Sequence, residues 1–464
     1  MNKNQPKKLA QGGLIKMHKH IILTTLLLIF LLFAFHGTLW GAFRTGLPFD
    51  SDWYVDEEIG KIVQGFNQGY FKCRTPYGGY NTITENQKIL NSWGYKARPL
   101  QEIKHLLPEP QYNMYSDPDV WGTFRISETA WEPVKPRGAM WKKFMAQTER
   151  NKKEVYLDEN NWLRGYHYGI PFPDPDENDP KIAVKLIWNF YKRYQDNDRV
   201  VCLDFSTKER RGVEKHNLAL SKRLQFSGRT RDDDVTVKGL YKPNPLNLDF
   251  VFASPFVAPY NLRGTICLYY RYNDPDKEDH MWIYIPSIRR VRRMSTAQHQ
   301  DRIAGGGDFT WDNTEGFEGN VTRFNWVYLG RKEMLLPIIS HSHTYYNIDA
   351  YLNGMDHYYQ RRNAYIIKAV YKDPVNMTEM ILFLDPLFFA ASYSIDLDLK
   401  GREWIVQLIT QGRDKHWFYT MYNDYAIDVL RRHSTRAQFA YSGSEDYRMD
   451  DLTMDNLMRK YLAR

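Results

Sequence analysis

The sequence predicts a mainly β protein of the α+β class: a curved, open antiparallel half-barrel packed on one or two long helices. Three observations point there. Aromatic residues make up 15% of the 464-residue chain, with 33 Tyr and 13 Trp, and proline and glycine are dispersed. That composition suits a folded, pleated surface and not a disordered chain. After Tyr194, strand-length segments follow one another with turn-forming tracts between them, at hairpin-like spacing that argues against βαβ units. Just before them, residues 179–194 carry a helical period, with Ile182, Leu186 and Phe190 every four residues and Ala183 and Ile187 beside them. A meandering sheet wrapped on such a helix can enclose an apolar cavity; closed barrels and sandwiches are the alternatives.

Taken in order, residues 1–42 read as an export signal. Lys3, Lys7, Lys8, Lys16 and Lys19 precede a mostly apolar run from Ile21 to Phe35, and small residues follow at Gly37, Gly41 and Ala42. Continued to Phe43, the run is just long enough to span a bilayer, so an uncleaved anchor is the alternative. Removing those five lysines from the 63 basic residues leaves 58 against 55 acidic ones, and the net +8 falls to +3. A nucleic-acid binder would keep a strong basic excess.

Residues 43–150 are expected to be an irregular N-terminal region, rich in proline (Pro108, Pro110, Pro118, Pro133, Pro136), with one short helix at 57–66. The half-barrel domain then covers 151–464. Its helix starts at Asp179-Pro180, a capping side chain followed by proline in the first turn. Strands are expected at 200–204, 234–238, 248–252, 265–272, 281–293, 324–335, 364–371, 379–384, 393–397, 404–410 and 417–422. Asn273-Asp274-Pro275-Asp276, Asp373-Pro374-Val375-Asn376 and Lys400-Gly401-Arg402 mark turns. An amphipathic helix at 453–462, bearing Met454, Leu457, Met458 and Tyr461, closes the chain. Cys73, Cys202 and Cys267 include no Cys-x-x-Cys, which removes thiolate zinc sites and thioredoxin chemistry. They read as buried free thiols, with Cys202–Cys267 the pairing to consider in an oxidising compartment.

The most informative stretch is 280–293, expected to be one strand central to the sheet. Successive side chains of a strand alternate between faces. Trp282, Tyr284, Ile288, Arg290 and Arg292 then share one face, and Ile283, Ile285, Arg289, Val291 and Arg293 the other. Each face is apolar first and cationic second, as for a cavity wall ending in a charged rim. Trp282, Tyr284, Ile288, Arg290 and Arg292 are the candidate ligand-binding set, the arginines suiting a phosphate or carboxylate head group. Ile283, Ile285, Arg289 and Arg293 are the alternative set, since the sequence does not say which face is concave. The plain reading is a strand leaving a core, its arginines solvated.

Catalytic patterns are weak. His341, His343, Asp349 and His357 are the right residue types for a metal, without a helical His-x-x-x-His. Gly305-Gly-Gly307 lacks the lysine of a phosphate-binding loop. Asp301, Asp308, Asp312, Glu315 and Glu318 depart from calcium-loop spacing and read as solvated loop acids, some pairing with the arginine strand. No catalytic residue, metal or cofactor is expected, and the chain reads as a non-enzyme.

Several motifs occur together in order. Gly169-Ile-Pro-Phe-Pro173 and Val184-Lys-Leu-Ile-Trp-Asn-Phe190 are followed by Trp282-Ile-Tyr-Ile-Pro-Ser-Ile-Arg-Arg-Val-Arg-Arg293. Gly305-Gly-Gly-Asp308, Asn325-Trp-Val-Tyr-Leu-Gly-Arg-Lys-Glu333 and Lys400-Gly-Arg-Glu-Trp404 come next. Over roughly residues 160–440 this resembles the Gram-negative envelope family called domain of unknown function 1329. The resemblance implies a fold similar to the lipoprotein carriers LolA and LolB, in the periplasm or on the periplasmic face of the outer membrane. It further implies a hydrophobic or lipid-like cargo, an RND-type membrane transporter and outer-membrane proteins as partners, and no catalytic residues. The competing readings are a non-enzymatic envelope scaffold and a metal-dependent hydrolase using the histidines near His341.

Overall fold

The computed structural model describes residues 96–462, apart from 118–124, 130–138, 195–197, 210–213, 230–243, 275–276, 304–306, 338–355, 414–418 and 443–448. The export signal, the helix expected at 57–66, Cys73, the strand at 234–238, Gly305, His341, His343 and Asp349 lie outside the described residues.

Strands β1 (Lys96–Arg98) and β2 (Arg125–Thr129) flank α1 (Glu109–Tyr115), and α2 (Ala139–Glu154) leads to the small hairpin of β3 (Tyr156–Leu157) and β4 (Leu163–Arg164). Helix α3 (Ile182–Tyr191) follows. Next come β5 (Asp198–Glu209), β6 (Glu214–Gln225), β7 (Leu248–Ala258), β8 (Ile266–Tyr272), β9 (His280–Ile285) and β10 (Arg290–Met294). The second run is β11 (Phe324–Leu336), β12 (Asp356–Tyr371), β13 (Met377–Leu384), β14 (Ala391–Asp398), β15 (Glu403–Arg413), β16 (Tyr419–Asp428) and β17 (His433–Ser442), before α4 (Met454–Leu462).

All but β3 and β4 belong to one 15-stranded sheet, in the order β1-β2-β12-β13-β14-β15-β16-β17-β5-β6-β7-β8-β9-β10, with β11 on the side of β12 away from β13. Every pairing is antiparallel except β2 with β12. The sheet stays open: among the described residues β10 ends it on one side and β1 and β11 on the other. The expected open antiparallel sheet is therefore present.

Its inner face carries the larger core. Helix α3 packs there with Leu186 and Ile187 fully buried. The helix begins where expected in chemistry, slightly later in register. Asp179 accepts the Lys181 N–H through its carboxylate and the Ile182 N–H through its carbonyl, satisfying two otherwise open donors. Along β15, Ile405 and Ile409 point to this core and Leu408 to the opposite one.

The outer face is covered too. The 3₁₀ turn Leu100–Leu106 and α1 pack Ile103, Leu106 and Tyr115 on Tyr359, Tyr393 and Tyr425. Tyr115 and Tyr359 share a hydroxyl hydrogen bond of 2.6 Å. The described residues of 96–150 thus supply strands, a helix and a core layer where irregular chain was expected, and the expected boundary at 150 falls inside α2. The covering residues are proline-broken and short, so no long period betrayed them.

Two further corrections concern 280–293 and the segment after it. Instead of one central strand, the stretch is a hairpin at the end of the sheet. Pro286 lacks the N–H a ladder needs and opens a 3₁₀ turn, and Arg289 closes it in the left-handed region at φ 50°. Residues 295–303 and 307–323, between β10 at one edge and β11 at the other, then lie on the inner face. There Asp308 and Asp312 are fully buried, not solvated. Asp308 meets Arg302, His433 and Thr435, and Asp312 meets His299, Arg323 and Tyr371.

Cys267 is a buried free thiol. Cys202 lies on β5, three strand spacings from β8. At about 4.8 Å per spacing that is far beyond disulfide reach.

Candidate functional site

Between the inner face of β5–β9 and the crossing segment 295–323 lies a largely apolar cavity. Its volume is about 80 Å³. The sheet contributes alternate residues, as one face of a pleat must: Leu203 and Phe205 from β5, Phe250 and Phe256 from β7, Cys267 and Tyr269 from β8. Met281 of β9 completes that wall, and Ile303, Phe309 and Trp311 form the roof.

The polar groups at this cavity are mostly paired. Ser221 and Ser254 share a hydrogen bond of 2.7 Å. Arg223 stacks 3.7 Å over the Phe250 ring and donates to Glu318 at 3.3 Å. Glu318 also faces Arg271, which pairs with Asp279 at 3.0 Å. Glu315 pairs with Arg193 at 3.3 Å, and His299 stands 3.4 Å from Asp312. Asp424 differs: one carboxyl oxygen accepts the Glu315 N–H at 3.1 Å, and its Oδ1 is buried with no partner.

These settings separate the acids. Burial, reinforced by the charges of Glu315 and Asp396, holds the Asp424 carboxyl well above the ordinary range. Burial also pushes Asp396 up to about 7, against hydrogen bonds from Asn313 and Ser394. Asp312 is as buried, but the hydrogen bond and charge of His299 and the charge of Arg323 outweigh burial and keep it below the usual value. The Cys267 thiol is pushed up to about 12 by burial, which makes it an inert wall atom and not a nucleophile.

The sequence candidates fall elsewhere. Directly paired residues of adjacent strands share a face. Trp282 pairs with Leu268 and Tyr284 with Ile266, so both sit on the outer side of β9, where Trp282 packs edge-on against Tyr270 at 5.2 Å. Ile288 lies in the hairpin turn, 41% exposed. Arg290 pairs with Ile285 and Arg292 with Ile283, so the hairpin puts these two arginines on the cavity-facing side and Arg293 on the side of Trp282. The expected face grouping is thereby split, and none of Trp282, Tyr284, Ile288, Arg290 or Arg292 lines the cavity. Of the alternative set, Ile283 packs against the inner core. Sequence reasoning missed the cavity wall itself, although Phe250-x-Phe252-x-Ser254-x-Phe256 shows the required alternation. His357 is on β12, and among the described residues no group of three or more His, Cys, Asp or Glu is placed to hold a metal ion.

A model of the family described as "Protein of unknown function (DUF1329)" matches residues 98–457. The chain belongs to this family. Its match begins well before the region in which the resemblance was legible, and so takes in the 3₁₀ turn Leu100–Leu106 and α1 that cover the outer face. The chain is 28% identical over 197 residues to the uncharacterized protein PA3922 of Pseudomonas aeruginosa, a match spanning 42% of this chain and 40% of that relative. Among solved structures it is similar to one described as an outer membrane lipoprotein-sorting protein domain from Vibrio parahaemolyticus, at 12% identity and a TM-score of 0.44, covering 59% of this chain and 97% of the other. A DUF1329 family protein from Desulfovibrio piger gives 13%, 0.43, 59% and 96% for the same quantities. The LolA superfamily protein NE2245 from Nitrosomonas europaea gives 12%, 0.37, 57% and 93%. No helix among the described residues is long and apolar enough to cross a membrane.

Proposed function

We propose that the chain is a periplasmic carrier that holds a hydrophobic, lipid-like molecule between the inner face of β5–β9 and the segment 295–323. The observation that carries this reading is the cavity, walled by phenylalanines at alternate strand positions in a place where a solid core would otherwise stand. Burying methylenes there contributes about 0.8 kcal/mol each. Paired buried ions such as Arg223 with Glu318 keep the wall shaped without offering a reactive group. In this reading the cargo passes between an RND-type transporter of the inner membrane and proteins of the outer membrane, as the sequence resemblance implies. Arg290 and Arg292, exposed on the edge strand and on its cavity-facing side, suit contact with anionic head groups during transfer. A non-enzymatic scaffold would need its apolar surface outside, not enclosed.

The test is twofold. Organic extracts of the purified chain, analysed by mass spectrometry, should contain a co-purifying apolar molecule. Ala437→Phe, which adds a ring at a buried cavity residue, should abolish binding of the neutral fluorophore N-phenyl-1-naphthylamine while far-ultraviolet circular dichroism stays unchanged. A folded Ala437→Phe that binds the fluorophore as well as wild type would move the site away from this cavity.

A further inference from the structure

Asp424 is 1% exposed, borders the cavity and leaves Oδ1 without a hydrogen-bond partner, although its other oxygen is held by the Glu315 backbone. The remaining charges around the cavity are already matched: Arg223 by Glu318, Glu315 by Arg193, His299 by Asp312. An anionic head group entering here would find its cations engaged and an additional carboxyl beside it. A buried carboxyl next to Glu315 and Asp396 is favoured in its protonated form. It then offers an O–H for which the protein supplies no acceptor, and an unmet buried donor is unfavourable until something accepts from it.

Building on the carrier reading, we propose that the cavity takes an uncharged apolar molecule bearing an acceptor oxygen, such as an ester, ketone or alcohol, and that Asp424 holds that oxygen at the polar side of the cavity. The acyl or ring portion lies along Phe205, Phe256, Phe309 and Trp311, and the single directional contact sets its orientation. This places head-group selection inside the cavity, separate from the arginines of the edge strand.

The experiment is displacement of N-phenyl-1-naphthylamine from the full chain by dodecane, dodecanol, monolaurin and laurate, with Asp424→Leu and Asp424→Asn alongside wild type. Wild type should prefer dodecanol and monolaurin over dodecane and over laurate by about tenfold. Asp424→Leu should bind dodecane at least as well and lose the preference for the oxygenated pair. Asp424→Asn, which keeps an uncharged donor, should retain it. Equal affinity of wild type for dodecane and dodecanol overturns the proposal, as does preference for laurate, or preference surviving in Asp424→Leu. Should Asp424→Leu fail to fold, the wild-type series and Asp424→Asn still decide the question. Displacement by dodecane without discrimination sinks the role of Asp424 and spares the carrier; no displacement by any competitor removes both.

Discussion

Gly307 has a φ of +65°, and a Cβ on it would overlap Oγ1 of Thr435. That hydroxyl accepts the Asp308 N–H at 3.0 Å and donates to the Asp308 carboxylate at 2.8 Å, fixing the crossing segment on β17. Gly307→Ala should therefore destabilise the protein by about 2 kcal/mol, combining backbone strain with a steric conflict, read as a lowered denaturant midpoint. Asp396 makes a second prediction. Its folded-state value near 7 lies above that of an unfolded carboxyl, about 3.9, so the folded state holds the proton that the unfolded chain releases. Stability from this group is then complete below about pH 4, declines through about pH 7 and is flat beyond, a change on the order of 4 kcal/mol. Asp424 acts in the same direction, whereas Asp312 acts in the opposite one. The contribution is isolated by subtracting the pH profile of Asp396→Asn from that of wild type; a difference independent of pH would refute it. Little of this was legible in the sequence. Asp308 and Asp312 looked like solvated acids because their partners, His433 and Tyr371, are distant along the chain and arrive only with the fold.

At the scale of elements, segments with a strong apolar period were legible. Helix α3 and strands β8 and β11–β16 announce themselves by apolar spacing. Strand β6 did not, because its apolar alternation is broken by polar residues such as Lys222 and Arg223, although these are only 4% and 8% exposed. Stretch 280–293 failed for a different reason: alternation was continued through Pro286, and the four-residue turn exchanged the faces of the second half. That exchange has a measurable result. Arg290→Gln with Arg292→Gln should weaken association with phosphatidylglycerol vesicles by about 2 kcal/mol, at roughly 1 kcal/mol per cation near an anionic surface. It should leave association with phosphatidylcholine vesicles and displacement of the neutral fluorophore unchanged. Trp282→Ala should likewise leave the fluorophore in place, because its ring lies on the outer side against Tyr270. Loss of fluorophore binding in either variant would return the cargo site to the hairpin.

Among the described residues both faces of the sheet are covered, the outer one by residues 100–115, which precede the legible part of the family resemblance, and by the C-terminal segment, where the Tyr270 hydroxyl donates to the Leu452 carbonyl. A chain beginning at Asn151 would lack Ile103, Leu106, Met114 and Tyr115, and would present Tyr359, Tyr393, Leu408 and Tyr425 to water. Burying a large apolar side chain is worth about 1.5–3 kcal/mol, so removing several together exceeds ordinary stability margins. Such a chain should be recovered as aggregate, measured against the full chain by soluble yield and by dye binding to exposed apolar surface. The open antiparallel sheet was legible because its strands alternate and its turns are marked. Its outer layer was not, because a 3₁₀ turn and a seven-residue helix flanked by prolines have too few residues to display a period.

The crossing from β10 to β11 makes sheet and backbone together a hoop, completed by a covalent chord and not by a last row of hydrogen bonds. A hydrogen-bonded barrel fixes its girth through strand number and stagger. Here the chord is moored part-way, where Asp308 meets Thr435 of β17. A residue added on the β11 side of that mooring brings at most about 3.5 Å of contour to its own stretch, and the roof at Phe309 keeps its hold on the sheet.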